Sequence, residues 1–382
     1  MIRTLVPLAG GRAVRPAVSG MEDRDRRAAG LWLLACALTV FATLVVGGAT
    51  RLTRSGLSIV EWKPVTGVVP PLGEAAWQEA FARYRETPEF RKVNASMTLE
   101  GFRRIYWWEY AHRLVARLNG VVFLVPFLHG LARGWLSRSL VPRLLLLFAL
   151  GGAQGALGWF MVSSGLVDDP RVSPLRLTAH LALAFALFGG LLWTALPLLS
   201  GPRRPAGPPP RGALRLGALV LGALAAMVLT GGLVAGQRAG LVYNTFPLMD
   251  GHLVPPPAWA GRPLWRDVLT NAATIQLHHR LGAWLVAALV AAYWIAVLRS
   301  GVGARARRAA HVLLAGLVGQ VALGGATVVL AVPVVLGVAH QAGAMVLFGL
   351  ALWAVHEAGE PGSAGQPSGS KRPWKKRRAG GS

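Results

Sequence analysis

The sequence has one cysteine, few charges and little acid, and each shortage removes a class of protein. Cys36 stands alone inside an apolar stretch, so no disulfide framework closes within the chain. Only 15% of the 382 residues are charged while 53% are hydrophobic, a composition that excludes disorder and points to a polytopic membrane protein. The 47 glycines follow no three-residue period, so a collagen-like chain is excluded as well. Asp and Glu number 16 against 40 Lys and Arg, giving a net charge of +24. The basic residues nevertheless sit in short clusters between long uncharged runs. That spacing excludes a basic nucleic-acid-binding domain and matches positive loops flanking membrane spans.

A helix needs about 20 residues to cross a hydrocarbon core of about 30 Å. Runs that qualify are Leu31 to Ala49, Leu118 to Ala132 extended upstream through Glu109 to Arg117, Leu144 to Val167, Leu177 to Leu199, Leu216 to Gln237 and Leu281 to Leu298. The run Val312 to His356 is too long for one span, and Pro333 near its middle splits it into two. The fold class is therefore all-α, with eight transmembrane helices.

Basic clusters recur in alternate connections: Arg3 to Arg27, Arg133 to Arg143, Arg203 to Arg215, Arg299 to Arg308 and Lys371 to Arg378. Eight crossings put all of them on one side, and the positive-inside rule makes that side cytoplasmic. The chain then reads as a basic cytoplasmic segment (1–28), a four-helix half (29–200) with an outer loop (51–104), a linker (201–215), a second four-helix half (216–356) and a basic cytoplasmic tail (357–382). Leu31 to Ala49 is too long for a signal-peptide core and is kept as a span. The basic tail is expected to associate with anionic headgroups and to be dispensable for activity.

The halves resemble each other. Gly47 to Leu57 (GGATRLTRSGL) aligns with Gly231 to Leu241 (GGLVAGQRAGL), EYAHR at 109–113 with QLHHR at 276–280, QGALG at 154–158 with QVALG at 320–324, and Ala179-His180 with Ala339-His340. The offsets are 184, 167, 166 and 160, in the same order along both halves. Four helices per half make this a parallel repeat rather than an inverted one.

Of nine histidines, four recur in register: His112 and His180 in the first half, His279 and His340 in the second. Each is expected a few residues into an even-numbered helix, in the outer part of the membrane. A lone intramembrane histidine is ordinarily a packing group, but two per half supply both axial imidazoles of a six-coordinate haem. Zinc is disfavoured because neither half gathers a third ligand, and covalent haem attachment is excluded because no CxxCH segment occurs. His278 adjoins His279, and register with His112-Arg113 selects His279. His129, His252, His311 and His356 have no counterparts and read as loop or headgroup residues.

Glu109 lies one turn before His112, whereas its counterpart is Gln276. It reads either as a first-turn group on the helix dipole or as an ionisable group marking the first half for chemistry. Arg113, Arg117 and Arg280 are expected to pair with haem propionates or to snorkel to headgroups. The glycine pairs 47-48, 151-152, 231-232 and 324-325, with the Gly151/Gly155 GxxxG spacing, read as helix packing or as room for flat macrocycles.

Together these segments resemble the haem A synthase family: GGATRLTRSGLSIVEWKPVTGVVPPL, IYWWEYAHR, QGALGWFMVSSGL, YNTFPLMDG, QLHHR and VAHQ, spread from Gly47 to His340. The similarity is to the proteobacterial and mitochondrial branch, since the loop cysteine pairs of another branch are missing. Ala116 stands where the family pattern has glycine. The resemblance implies oxidation of a ring methyl of haem O to formyl, through hydroxylated intermediates. It further implies haem b as cofactor on His279 and His340, haem O between His112 and His180, and Glu109 as the catalytic carboxylate. The implied location is the bacterial inner membrane, in contact with lipid and not with nucleic acid. Haem O synthase is a candidate partner; the electron acceptor and any homo-oligomer stay open. Two other readings remain at this stage: a bis-histidine di-haem cytochrome b that only passes electrons, and a haem transporter or chaperone.

Overall fold

The computed structural model describes residues 21–63, 66–201 and 210–359. Part of the basic pattern, including Arg3, Arg12, Arg15, Arg203, Arg204 and the cluster from Lys371, lies outside the described residues. Those described form eleven α-helices: α1 (Asp23–Leu52), α2 (Gly73–Arg85), α3 (Pro88–Lys92), α4 (Leu99–Arg133), α5 (Val141–Ser163), α6 (Pro174–Ser200), α7 (Arg211–Gly236), α8 (Leu264–Thr270), α9 (Ala272–Arg299), α10 (Ala304–Val329) and α11 (Val334–Gly359). Eight of them, all but α2, α3 and α8, are long and apolar enough to cross a membrane, with mean hydropathies from 1.6 to 2.3. The chain is thus an all-α, multi-pass membrane protein.

Local chemistry sets the boundaries. Thr98, Ser173 and Asn271 cap α4, α6 and α9 by accepting hydrogen bonds from backbone N–H groups of the first turn. Gly134, at φ 69°, ends α4 in the left-handed region where a missing Cβ removes the penalty. The long apolar run does divide before Pro333. Ala331 and Val332 take φ of 55° and 59°, a costly conformation for Val held by Val332 N–H donating to the Thr327 carbonyl at 2.8 Å.

Several helices start upstream of their apolar runs: α1 at Asp23 before Leu31, α9 at Ala272 before Leu281, and α4. The second span's helix starts at Leu99, not near Glu109, because its first turns carry an aromatic face that packs on α2. There Phe102 and Tyr106 are buried against Trp77 and Tyr84 of α2, with Tyr84 stacked on Phe102 at 5.2 Å. Polar residues between these aromatics hide the continuation from a search for apolar runs.

The repeat is visible in the packing. In the first half α1 packs on α4 and α6, and α5 on α6; in the second α7 packs on α9 and α11, and α10 on α11. The halves meet through α6 with α7, α1 with α11, and α6 with α11. The last of these is reciprocal. A Cβ on Gly189 would lie 2.9 Å from the Phe348 ring, and one on Gly349 would lie 3.4 Å from the Phe188 ring. These pairs carry the 160-residue offset that relates His180 to His340. Each phenylalanine fills the space left by the other half's glycine, which is how apolar helices approach closely where burial from water supplies no driving force.

Candidate functional site

The four repeated histidines share one construction. Each imidazole lies against a glycine of the neighbouring odd-numbered span. A Cβ on Gly47 of α1 would come within 2.7 Å of His112 on α4, and on Gly158 of α5 within 3.0 Å of His180 on α6. In the second half the distances are 3.3 Å for Gly231 of α7 against His279 on α9, and 2.8 Å for Gly324 of α10 against His340 on α11. These glycines are themselves repeat counterparts, 47 with 231 and 158 with 324. Their purpose is therefore to seat a ring.

This corrects the reading of the glycine pairs. Gly151, Gly152 and Gly155 would meet nothing within 4 Å, so the GxxxG spacing makes no close helix contact within the chain. Gly158 is the true counterpart of Gly324. The second members of the first and third pairs face the other half instead: Gly48 meets the Gln341 side chain and Gly232 meets Thr178.

Polar neighbours orient the rings. Gln154 and Gln320, also counterparts, donate through Nε2 to the His180 carbonyl at 3.1 Å and the His340 carbonyl at 2.9 Å. Their amide nitrogens reach the same histidines' rings, 3.4 Å from His180 Nε2 and 3.1 Å from His340 Nδ1. Thr230 Oγ1 is 2.9 Å from His279 Nδ1. His112 Nδ1 and His180 Nδ1 are buried without a hydrogen-bond partner, which is uncommon for ring nitrogens.

The His279 and His340 ring centroids are 6.5 Å apart at an interplanar angle of 83°. That gap admits a metal bonded at about 2 Å to each imidazole. Among the described residues no group of three or more His, Cys, Asp or Glu gathers as metal ligands. A donor set of two imidazoles per half fits the two axial positions of a bis-histidine haem.

The remaining histidines separate cleanly. His278 turns away from the bundle, accepting a hydrogen bond from Trp259 Nε1 at 3.0 Å. His311 accepts one from Trp294 Nε1 at 3.0 Å, and His252 lies in a loop beside the Asp250 carbonyl. His356 departs from its loop or headgroup expectation: it is buried between α6 and α11, 3.2 Å from Ser200 Oγ and edge-on to Trp193.

Glu109 is 3% exposed and fully bonded. Ser58 Oγ and Ile59 N donate to its Oε2, both at 2.8 Å, while Arg113 Nε and Nη2 donate to its Oε1 at 3.0 and 2.6 Å. A carboxylate has about four acceptor sites, and these donors fill them. Because α4 begins at Leu99, Glu109 lies well inside the helix and its first-turn reading fails; Glu100 is the first-turn acid.

The arginines bond to loop carbonyls. Arg113 also donates to the Ile59 and Glu61 carbonyls, Arg117 to that of Lys63, and Arg280 to those of Tyr243, Pro247 and Leu248. They hold loops, a role that residue type alone does not distinguish from snorkelling. Beside them a cavity of about 510 Å³ opens between the first long loop and α4, lined in part by Tyr106, Tyr110, Arg113 and Arg117.

In the extramembrane layer, burial pushes the Glu89 carboxyl up to about 7, with Tyr84 Oη donating to it at 3.3 Å. Glu61 goes the other way, held below the usual carboxylate range chiefly by its hydrogen bond to Lys63. Sequence reading assigned neither residue a function.

The chain is similar to known proteins. A sequence profile of the COX15-CtaA family, described as cytochrome oxidase assembly protein, matches residues 30–352. Haem A synthase of Nitrosospira multiformis is 49% identical over 328 residues, covering 86% of this chain and 92% of the relative. Haem A synthases of Nitrosomonas eutropha and Parvibaculum lavamentivorans are 44% and 45% identical, covering 89% and 90% of this chain and 96% and 98% of theirs. The matched stretch contains all four glycine-seated histidines, and the chain belongs to the COX15-CtaA family of cytochrome oxidase assembly proteins, together with the haem A synthases.

Proposed function

We propose that the protein is a haem A synthase, an oxidoreductase converting a ring methyl of haem O to formyl through hydroxylated intermediates, and so supplying haem A to terminal oxidases. The observation that carries this reading is a twice-built pocket with a chemical difference between copies. Both halves hold two histidines on glycine seats, but Glu109 occurs only in the first, opposite Gln276. Two permanent electron carriers of one type would not need that asymmetry.

In this reading residues 216–356 form the cofactor half, where His279 and His340 hold haem b. Residues 29–200 form the substrate half, where His112 and His180 flank haem O. Bound haem b supplies one-electron redox chemistry that carries electrons away from the substrate half. His112 and His180 fix the position of the substrate macrocycle against the Gly47 and Gly158 faces. Glu109, one turn from His112, forms with Arg113 a fixed ion pair whose carboxylate end offsets positive charge developing on the substrate, an effect strengthened where water is excluded. Its four donors favour that role over a free base, because accepting a proton requires it first to release Ser58 or Arg113. The basic clusters support a topology in the bacterial inner membrane with both termini in the cytoplasm and the long loops on the outer side.

Expression with a source of haem O, then acid extraction and chromatography of the haems, tests the proposal. Haem A or its hydroxylated precursor is the expected product. Recovery of haem O unchanged beside haem b refutes it in favour of a haem carrier, and two equivalents of haem b alone favour a di-haem cytochrome.

A further inference from the structure

The side chains on either side of the paired histidines reach the same loop position in both halves. Arg113 follows His112 and donates through Nη2 to the Ile59 carbonyl at 2.7 Å; Arg280 follows His279 and donates through Nη2 to the Tyr243 carbonyl at 3.1 Å. Ile59 and Tyr243 are repeat counterparts, at the 184-residue offset of the preceding glycine segments. One turn before each histidine, Glu109 Oε2 accepts from Ile59 N at 2.8 Å and Gln276 Nε2 donates to the Tyr243 carbonyl at 3.0 Å. The loops thus gripped leave α1 and α7 through matching turns, with Arg54 at φ 55° and Arg238 at φ 53°. Those two helices carry the seats Gly47 and Gly231. Each clamp therefore ties the helix bearing a histidine to the loop that continues the helix bearing its seat.

We propose that Arg113, with Ser58, and Arg280 are positioning residues, each setting the approach of its own half's histidine to the glycine seat and so tuning only that half's haem site. This rests on the reading that the second half holds the resident haem. The clamps are not equal. In the first, Arg113 Nε closes on Glu109 Oε1; in the second, Arg280 Nε and Gln276 Oε1 are both buried without a partner. In the first clamp an ion pair inside α4 braces two residues that grip the loop through its carbonyls, the Ile59 N–H and the Ser58 hydroxyl, whereas the second grips by carbonyl contacts alone. A single buried guanidinium with five donors in a rigid fork reaches several carbonyls at once, which a lysine does not.

The test compares Arg113→Gln and Arg280→Gln in the full-length purified protein, with Ser58→Ala and Arg113→Lys as milder changes that keep the fold. Three quantities are read: hydrogen exchange of residues 58–61 and 243–248, the low-spin signature and midpoint potential of the resident haem, and haem O conversion against haem O concentration. Arg113→Gln and Ser58→Ala are expected to raise exchange at 58–61 alone and to raise the apparent KM for haem O several-fold while leaving the resident haem's spectrum unchanged. Arg280→Gln is expected to raise exchange at 243–248 alone and to shift the resident haem's signature and potential. Equal disturbance of both halves by either variant, or an unchanged haem site beside a loosened loop, overturns the proposal. A crossed result, with Arg113→Gln moving the resident haem and Arg280→Gln moving conversion, upholds the clamps and instead inverts the assignment of the halves.

Discussion

Replacing each seat glycine by alanine is the most direct probe of the histidine pockets, because one methyl group enters at a known distance from a known ring. At Gly324 the added Cβ lies 2.8 Å from His340 Cε1, at Gly231 it lies 3.3 Å from His279 Cε1, and at Gly151 it meets nothing within 4 Å. Real Cβ atoms do not sit at 2.8 Å, so His340 or its helix must shift, whereas a few tenths of an ångström relieve His279. Overpacking of this kind costs about 1–3 kcal/mol, offset by about 0.5–1 kcal/mol from placing alanine rather than glycine in a helix. Net effects are about 1–2 kcal/mol against haem retention for Gly324→Ala and near zero for Gly231→Ala, with slight stabilisation for Gly151→Ala. Each 1.4 kcal/mol is tenfold in affinity, so Gly324→Ala should lose about ten times more haem than Gly231→Ala under competition with an apo-haem-protein. Absorbance of the purified variants reads this directly. If Gly324→Ala retains haem as the parent does, or Gly151→Ala loses as much, the glycines are not seats and the pockets are differently built.

The spans were legible in the sequence because a bilayer imposes a length and a composition that apolar runs report, and Pro333 marked the one division that length alone left open. The extension of α4 from Leu99 was not, since its aromatic face packs on α2 and not on lipid. The repeat made the four histidines legible as a set, and register with Arg113 separated His279 from His278. Which glycine faces which ring was only half legible: Gly47 and Gly231 stood in the aligned pairs, but Gly158 was masked by the more conspicuous Gly151-Gly152. The QGALG and QVALG alignment pairs it with Gly324, but nothing in that alignment says that either glycine faces a ring. The arginine clamps were beyond reach because their acceptors are backbone carbonyls, which carry no residue signature.

Three further outcomes follow from the geometry. His279→Ala or His340→Ala should remove or destabilise the low-spin resident haem, while His112→Ala or His180→Ala should spare its spectrum and block haem O conversion; the reverse pattern refutes the assignment of halves. Reporter fusions after Gly201 and Gly301 should read cytoplasmic and those near Glu86 and Pro256 external, and the opposite pattern would place every histidine pair nearer the inner surface. The last concerns acidity in the extramembrane layer. Glu89 is 6% exposed, and burial raises its carboxyl from 4.5 to about 7, with Glu109 reinforcing the rise and Arg54 opposing it. The folded state therefore holds a neutral acid where the unfolded chain is already ionised. Its contribution to stability is complete below about 4.5, falls as pH rises toward about 7, and is then constant, an upper bound on the order of 3 kcal/mol at 1.36 kcal/mol per unit. Glu61 and Asp267, held below their ordinary values by hydrogen bonds, weaken the fold only on acidification below that window. Hydrogen exchange across residues 84–94 at pH 5 and pH 8 isolates the effect. The parent protein should open more readily at the higher pH and Glu89→Gln should open equally at both, whereas the same pH dependence in Glu89→Gln would assign the proton to another group.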